Sequence, residues 1–205
     1  SRIWAARNDW FWGVDMGVYY HPNQEALVPD GFLSIGVQRI KSPRLRLSYV
    51  LWEEEGIIPI LVLEVVSKTY RSEYDKKKAD YSQLKALYYV VYNPFCGQKR
   101  RYDQHQPLEV YRLESGRYQL QSGNPLWLPE LGLGIGCEVG TYRGRRREWV
   151  YWYDQLGNRY LTTEELAAQE QQRAEREQQR AEREQQRAER LAEYLRSQGI
   201  DPNNL

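Results

Sequence analysis

Glu64 is the residue whose type fits its surroundings least, because it lies inside the apolar run of residues 59–66. A lone carboxylate is unfavourable to bury, so it needs a cation, a hydrogen-bond network or a metal ion as its partner. A basic neighbour that neutralises Glu64 would give it a purely structural role. A second carboxylate beside it would instead favour a site for chemistry.

Asp30 is the candidate for this second carboxylate. It follows Pro29, which fixes the turn, and it stands directly before a predicted strand at residues 31–37. If that strand neighbours residues 59–66, Asp30 and Glu64 converge, and two carboxylates in contact repel each other unless they share a proton or a cation. Oxygen ligands with positions left for water and phosphate suit Mg²⁺ or Mn²⁺. An ordinary turn aspartate is the alternative interpretation of Asp30.

Lys77 is the third candidate, selected by helical geometry. At 100° per residue, the apolar face of the predicted helix at residues 74–86 is defined by Tyr74, Tyr81 and Leu84. Lys77 falls inside this stripe, Lys76 points away, and Lys78 lies at the edge. Lys77 can therefore reach back towards the carboxylates, where it would orient or deprotonate a water or stabilise charge on a phosphoryl transition state. The alternative is a snorkelling lysine that covers apolar surface.

Other polar residues have weaker signals. Asp15 lies in a predicted strand and is a candidate third ligand or support for the metal. Arg145 and Arg146 belong to a basic turn at residues 143–147, which is either a solvated hairpin tip or a contact to a phosphate backbone. The acidic residues 53–55 are expected to form a solvated turn. His21 and His105 have no partner at ligand spacing and are assigned no function.

The elements that must position these residues form a mixed pattern. Residues 59–66 and 87–92 are near-continuous apolar runs, typical of strands buried on both faces, and the helix at residues 74–86 separates them. Strand, helix and strand in this order indicate a right-handed crossover between parallel strands. Further strands are predicted at residues 11–20, 31–37, 108–113, 117–121, 135–142 and 148–153. The prediction is an α/β fold with a mixed sheet, flanking helices and antiparallel additions.

The C-terminal segment differs sharply from the rest, so we divide the chain into a globular domain at residues 1–161 and a charged helical tail at residues 162–205. The tail repeats a seven-residue pattern with Ala174, Ala181 and Ala188 in register. A strong coiled coil needs two apolar positions per heptad, and here alanine occupies one of them alone. The tail is therefore either a solvated single helix or a weak alanine-seamed association. A homo-oligomer through the core or the tail stays open.

Composition excludes several classes of protein. The chain of 205 residues is 41% hydrophobic, which suffices for one ordinary core plus an appendage. No apolar run approaches the roughly 18 residues that span a bilayer, so we expect no membrane partner. The N-terminal residues lack the apolar stretch of a signal peptide, and Cys96 and Cys137 lack zinc or redox spacing, so a cytoplasmic location is expected.

The net charge of +1 hides a division between the two segments. Residues 162–205 carry 7 Arg against 10 Asp and Glu, whereas the preceding residues carry 22 Lys and Arg against 18 Asp and Glu. The globular domain is therefore mildly basic, which permits a polyanionic partner.

Several of these motifs together resemble the Uma-type restriction endonuclease family, which belongs to the PD-(D/E)xK nuclease superfamily. The motifs are Pro29-Asp30, Leu63-Glu64-Val65-Val66-Ser67, Tyr74-Asp75-Lys76-Lys77 with Tyr81, and Leu87-Tyr88-Tyr89-Val90-Val91-Tyr92-Asn93-Pro94. The segments at residues 13–20 and 48–54 are similar to the version common in cyanobacteria. The resemblance covers residues 9–154.

This resemblance implies a restriction-endonuclease-like fold and Mg²⁺- or Mn²⁺-dependent hydrolysis of DNA phosphodiester bonds. Asp30 and Glu64 match the two acidic motif positions and are the implied metal ligands, and Tyr81 is a possible supporting residue. The superfamily's lysine commonly stands two residues after the acid, where this sequence has Val66, and Lys77 matches a replacement from the following helix. Two alternatives remain: a catalytically weak module that serves binding or assembly, and a transposon-linked or defence nuclease that acts on particular ends.

Overall fold

The computed structural model describes residues 3–41, 46–68, 72–97 and 104–199. It divides the chain into two units, Ser1–Tyr160 and Leu161–Leu205. The division lies beside the change in composition near Thr162. Each unit is described by itself below.

A six-stranded mixed sheet forms the centre of the first unit. Its strands are β1 (Trp10–Val14), β3 (Gly31–Ile35), β5 (Leu61–Val65), β6 (Tyr88–Tyr92), β7 (Leu108–Glu114) and β8 (Arg117–Leu120), in the order β1-β3-β5-β6-β7-β8. Strands β5 and β6 are parallel, and all other neighbours in this sheet are antiparallel. The predicted mixed α/β fold is therefore confirmed, and it is consistent with a restriction-endonuclease-like fold.

Helix α1 (Lys76–Leu84) connects the two parallel strands, as the strand-helix-strand pattern predicts. It is shorter than the predicted helix by two residues at each end. The helix begins only after Asp75, whose φ of −119° and ψ of −92° are not helical. It ends at Lys85, which adopts a left-handed φ of 66° and turns the chain into β6.

The central sheet is buried on both faces. One face packs on α1 and includes Phe32, Val62 and Tyr89 from the sheet with Tyr81 and Leu84 from the helix. The other face is built from the alternate residues of the same strands, such as Leu33, Leu61, Val90 and Val110, and it packs against Leu133 and Ile135 of a second sheet. Since side chains alternate along a strand, Glu64 and Val66 project to the same face as Val62, towards α1.

Two smaller sheets complete the first unit. Strands β2 (Val18–Tyr19) and β4 (Tyr49–Val50) form a parallel pair, and a 3-10 turn at Leu51–Glu53 follows β4. Strands β9 (Leu126–Leu128), β10 (Leu133–Tyr142) and β11 (Arg145–Tyr153) form an antiparallel sheet in the order β11-β10-β9. The β10–β11 hairpin was predicted, whereas the short strands β4 and β9 were not.

Two further predictions, one of a strand and one of a turn, differ from the structure. The single strand predicted at residues 11–20 is broken, because Asp15 takes a left-handed φ of 46° after β1, and Val18–Tyr19 then joins a different sheet. The basic turn predicted at residues 143–147 is only two residues long. Arg143 and Gly144 have φ values of 48° and 71°, as a tight hairpin requires, so Arg145 already belongs to β11.

Helix α2 (Thr163–Ser197) forms the second unit, and none of its residues is buried. Thr162 and Glu165 close a capping box, since each side chain accepts a hydrogen bond from the other residue's backbone N–H, at 3.2 and 2.8 Å. Exposed pairs one turn apart follow along the helix, such as Arg173–Glu177 at 3.1 Å. None of the described helices combines the length and apolar character that a bilayer crossing requires.

Candidate active site

Asp30 lies in the turn before β3, where the antiparallel pairing with β5 places it. Gly31 pairs with Leu63, so the start of β3 meets the carboxyl end of β5. The Oδ2 atom of Asp30 accepts a hydrogen bond of 2.6 Å from the backbone N–H of Val65. The turn residue predicted from Pro29-Asp30 is therefore held directly beside the strand that carries Glu64.

Glu64 is completely buried and engages both carboxylate oxygens. Lys77 Nζ donates to Oε2 at 2.6 Å, and the hydroxyl of Tyr81 donates to Oε1 at 2.6 Å. Lys77 and Tyr81 stand one helical turn apart on α1, so a single helix face supplies both donors. The predicted proximity of Glu64 to the lysine on the apolar face is thus present in the structure.

The three consecutive lysines of α1 have different environments. Lys76 is exposed, whereas the Lys77 side chain keeps 28% of its surface exposed while its amine contacts Glu64. Lys78 turns towards the sheet, with its Nζ atom 3.6 Å from the centroid of the Tyr111 ring. Lys77 is therefore the lysine that joins the carboxylate to solvent, as its helical phase predicts.

The charge of Glu64 is destabilised by its surroundings. Burial raises the pKa of Glu64 from 4.5 to about 6, although the hydrogen bonds from Lys77 and Tyr81 lower it, and the neighbouring charge of Asp30 raises it further. Burial, followed by the adjacent Glu64 charge, also raises the pKa of Tyr81. Tyr81 therefore remains a protonated donor, and the Asp30 charge is close enough to Glu64 to influence its ionisation.

Val66 occupies the position where the superfamily commonly carries its lysine. Only 3% of Val66 is exposed, and it belongs to the same core cluster as Tyr81 and Tyr89. A side chain at this position faces α1 and packs among apolar groups. An amine can thus reach Glu64 from α1 while Val66 contributes to the core.

Asp30 and Glu64 are the carboxylates that could hold a hard divalent cation, and both Glu64 oxygens already accept hydrogen bonds from Lys77 and Tyr81. Asp30 and Glu64 supply carboxylate oxygens, and the Oδ1 atom of Asp30 accepts no hydrogen bond from the described residues. Within the described ranges, no three His, Cys, Asp or Glu side chains form a group that could hold a metal. Mg²⁺ is commonly bound by one or two carboxylates and completes its shell with water and phosphate, so a pair of carboxylates is compatible with this ion.

The remaining predicted site residues lie outside these contacts. The backbone N–H of Asp15 donates to the carbonyl oxygen of Asp30 at 3.3 Å, so Asp15 is a neighbour of the site through its main chain. Its side chain is exposed and joins no three-carboxylate group among the described residues. Arg145 and Arg146 are exposed on β11.

Glu54 was expected in a solvated turn, and this expectation is wrong. Only 6% of Glu54 is exposed, and it accepts hydrogen bonds from the guanidinium of Arg46 at 3.0 and 3.1 Å and from Lys41 at 3.2 Å. The two cations are far enough away in sequence that no local pattern connects them with this carboxylate.

Glu109 is a buried carboxylate that sequence reasoning missed. It lies on the same sheet face as Glu64, with Val91 of β6 between them in register. Its Oε1 lies 2.9 Å from Nδ1 of His105 and accepts a 3.1 Å hydrogen bond from the Gln106 N–H. A charged residue inside an alternating apolar strand was the available signal, and it is the same signal that identified Glu64.

Comparison with known families gives a match over most of the first unit. The model of Uma2, described as "Putative restriction endonuclease", matches residues 2–140. This range contains Asp30, Glu64 and Lys77 and stops before β11 and α2. No curated protein and no solved structure is significantly similar to the chain.

Proposed function

The chain belongs to the Uma2 family of restriction-endonuclease-like proteins, and on this basis we propose that it is a divalent-metal-dependent endonuclease that hydrolyses DNA phosphodiester bonds. The observation that carries the proposal is the contact of 2.6 Å between Lys77 Nζ and Glu64 Oε2, beside the Asp30 carboxylate. Family membership supports the nuclease class, which is consistent with the PD-(D/E)xK superfamily. The metal and the DNA substrate are proposals drawn from the chemistry of the three side chains.

Asp30 and Glu64 are the residues that would hold Mg²⁺ or Mn²⁺. When bound, such an ion supplies a Lewis acid and lowers the pKa of water, which generates a nucleophile near neutral pH. A phosphodiester carries a negative charge, and two neighbouring carboxylates repel it in the absence of a cation. At the reacting phosphodiester, the same cation would therefore offset the charge of both the carboxylates and the phosphate.

Lys77 has two roles in this proposal. In the protein without a cation, its ammonium group neutralises the buried Glu64 carboxylate. During hydrolysis, the partly exposed amine is placed to hydrogen-bond the attacking water or the oxygen atoms of the phosphoryl group, where negative charge accumulates. Tyr81 holds Glu64 Oε1 through a neutral hydrogen bond and fixes the orientation of the carboxylate.

Plasmid nicking tests the proposed function. We expect the chain to convert supercoiled DNA to the nicked form in Mg²⁺ or Mn²⁺ and to be inactive in EDTA. Glu64→Gln and Asp30→Asn should each abolish cutting, whereas Glu25→Gln, on an exposed loop, should leave it unchanged. Cutting by Glu64→Gln at the wild-type rate would overturn the assignment.

Assembly through the tail is the second candidate function. Helix α2 is 35 residues long, buries none of them, and repeats alanine at seven-residue spacing. A nuclease-fold module without activity would then act through an alanine-seamed association of tails. Sedimentation of the wild type against Ala181→Glu separates the candidates: a fall in mass supports assembly, and an active, unchanged monomer contradicts it.

A further inference from the structure

The outer half of the β10–β11 hairpin, residues 138–149, extends beyond the core, and we call it the arginine arm. The two strands are paired over their full length, from Gly134 with Tyr153 to Tyr142 with Arg145. The inner half packs on the central sheet through Ile135 and Trp152. In the arm none of the residues is buried. A two-stranded ribbon is marginally stable without further packing, so an arm of this kind is a natural contact surface.

The tip of the arm is strongly basic. Four of its residues are arginines: Arg143, Arg145, Arg146 and Arg147. Among the residues that the structure describes, no carboxylate lies within ion-pair distance of these four guanidinium groups. By contrast, Arg46 is paired with Glu54. The arm also carries Glu138 and Glu148, but neither forms an ion pair with these four arginines, so the arm keeps a net positive charge.

Aromatic side chains line the arm beside the arginines. The Arg147 guanidinium lies 4.8 Å from the centroid of the Trp149 ring, and that of Arg143 lies 5.5 Å from the Tyr142 ring. The rings of Tyr142 and Trp149 contact each other edge to face at 5.5 Å. Cation–π contacts restrict the motion of the guanidinium groups. Less side-chain conformational entropy is therefore lost when an anion binds them.

The base of the arm lies at the end of the central sheet where β5 and β6 finish, close to the carboxylates. The hydroxyl of Tyr92, the last residue of β6, donates to the carbonyl oxygen of Glu148 at 2.6 Å. Tyr92 pairs with Val65, whose N–H donates to Asp30. Because Glu64 faces α1, Tyr92 projects from the opposite face. The arm and α1 thus lie on opposite faces of the sheet at the same end of β5 and β6.

The length of the arm matches a stretch of nucleic acid backbone. Four residues separate Glu148 from the turn at Gly144, which is about 13 Å at the rise of a β-strand. Phosphates of one DNA strand follow at about 3.4 Å along the helix axis, so the arm spans roughly four of them. An arm of this length can therefore contact several successive phosphates of one strand.

We propose that the arginine arm binds the phosphate backbone of the DNA that the carboxylates act on. The inference rests on the proposed function, since it names the surface that holds the substrate of that site. Guanidinium groups match phosphate oxygens in a two-point geometry, and contacts of this kind do not depend on base sequence. Because the base of the arm lies close to Asp30 and Glu64, we favour a nucleic acid over an acidic protein as its binding partner.

Fluorescence anisotropy with a short labelled duplex tests this inference. The titration is made in EDTA, so it requires neither metal binding nor cleavage. The test variant combines Arg143→Gln, Arg145→Gln and Arg146→Gln. The matched control combines Arg176→Gln, Arg183→Gln and Arg190→Gln, which remove the same charge from exposed positions of α2. A third variant with lysine at the three arm positions retains the charge, and circular dichroism verifies folding of each.

We expect the arm variant to lose affinity at least tenfold at moderate salt. The slope of log K against log salt should fall by about 2.7, or about 0.9 for each phosphate that the arm no longer neutralises. The α2 control and the lysine variant should keep the wild-type slope. Wild-type affinity in the arm variant, an equal loss in the α2 control, or no binding by the wild type would each overturn the inference. Arm-dependent binding without cleavage in any metal would contradict the proposed function and leave the arm's role intact.

Discussion

Lys77 Nζ lies 2.6 Å from Glu64 Oε2, and this contact joins the first turn of α1 to a completely buried carboxylate near the end of β5. The two residues are 13 positions apart in sequence. The common superfamily spacing would instead place the lysine at position 66, where Val66 packs into the core. The helix therefore supplies from a different direction the amine that the strand lacks.

Lys77→Ala should lower the initial rate of DNA nicking by about a hundredfold or more, in the range of a lost general acid–base or charge-stabilising group. Lys76→Ala is the matched control, since Lys76 is adjacent and exposed and should leave the rate close to that of the wild type. Equal rates for the two variants would exclude Lys77 from the chemistry.

Tyr81→Phe removes the hydroxyl that donates to Glu64 Oε1. The buried oxygen then loses its hydrogen bond, which costs about 1–3 kcal/mol, and the ionised form of Glu64 is disfavoured further. We expect a lower melting temperature and a pH–rate profile displaced to higher pH. A positioning role requires this displacement. A fall in stability with an unchanged profile would indicate that Tyr81 serves packing alone.

Glu64→Gln should stabilise the fold near neutral pH while it abolishes cutting. Burial raises the pKa of Glu64 to about 6 from 4.5, so the folded state binds the proton more tightly than the unfolded state. The stability associated with this proton is fully present below the unfolded pKa and is lost as pH rises through about 6, with a magnitude of about 2 kcal/mol. Thermal unfolding should show Glu64→Gln above the wild type at pH 7.5, with the difference much reduced near pH 4.5. A lower melting temperature at both pH values would contradict this account.

Binding of Mn²⁺ should weaken as pH falls through about 6, because protons compete with the cation for Glu64. Below this pKa we expect the apparent dissociation constant to rise by about tenfold per pH unit. Titration calorimetry at several pH values measures the effect. Glu53→Gln, on an exposed acidic residue, is the control and should retain the wild-type dependence. A dissociation constant that is constant from neutral pH to pH 5 would remove Glu64 from the metal site.

Several structural features were predictable because they depend on short-range periodicity. The parallel strands β5 and β6 with α1 between them follow from two apolar runs and an amphipathic segment, and the phase of Lys77 follows from 3.6 residues per turn. The break after β1 was not predictable in the same way. Residues 11–20 alternate like one strand, and only the left-handed conformation of Asp15 ends it.

The partners of buried charged residues were also not predictable from the sequence. The sequence predicts Glu54 in an acidic turn, yet in the structure it forms ion pairs with Arg46 and Lys41. Glu109 gave the same signal as Glu64, but its partners include His105, to which the sequence assigned nothing. Which cation or donor meets a buried carboxylate depends on how distant segments pack, and this dependence has no local pattern.

The sequence by itself determined that Glu64 is a carboxylate in a buried strand, that Asp30 stands at the start of another, and that Lys77 lies on the apolar face of the next helix. Each of these statements depends on a residue and its near neighbours. Only the tertiary structure decided that β3 lies beside β5 and that Asp30 accepts a hydrogen bond from the Val65 N–H. It also decided that Lys77 and Tyr81 each donate a hydrogen bond to one oxygen of Glu64. Strand order and side-chain contacts are long-range, because they depend on how the whole chain buries its apolar surface.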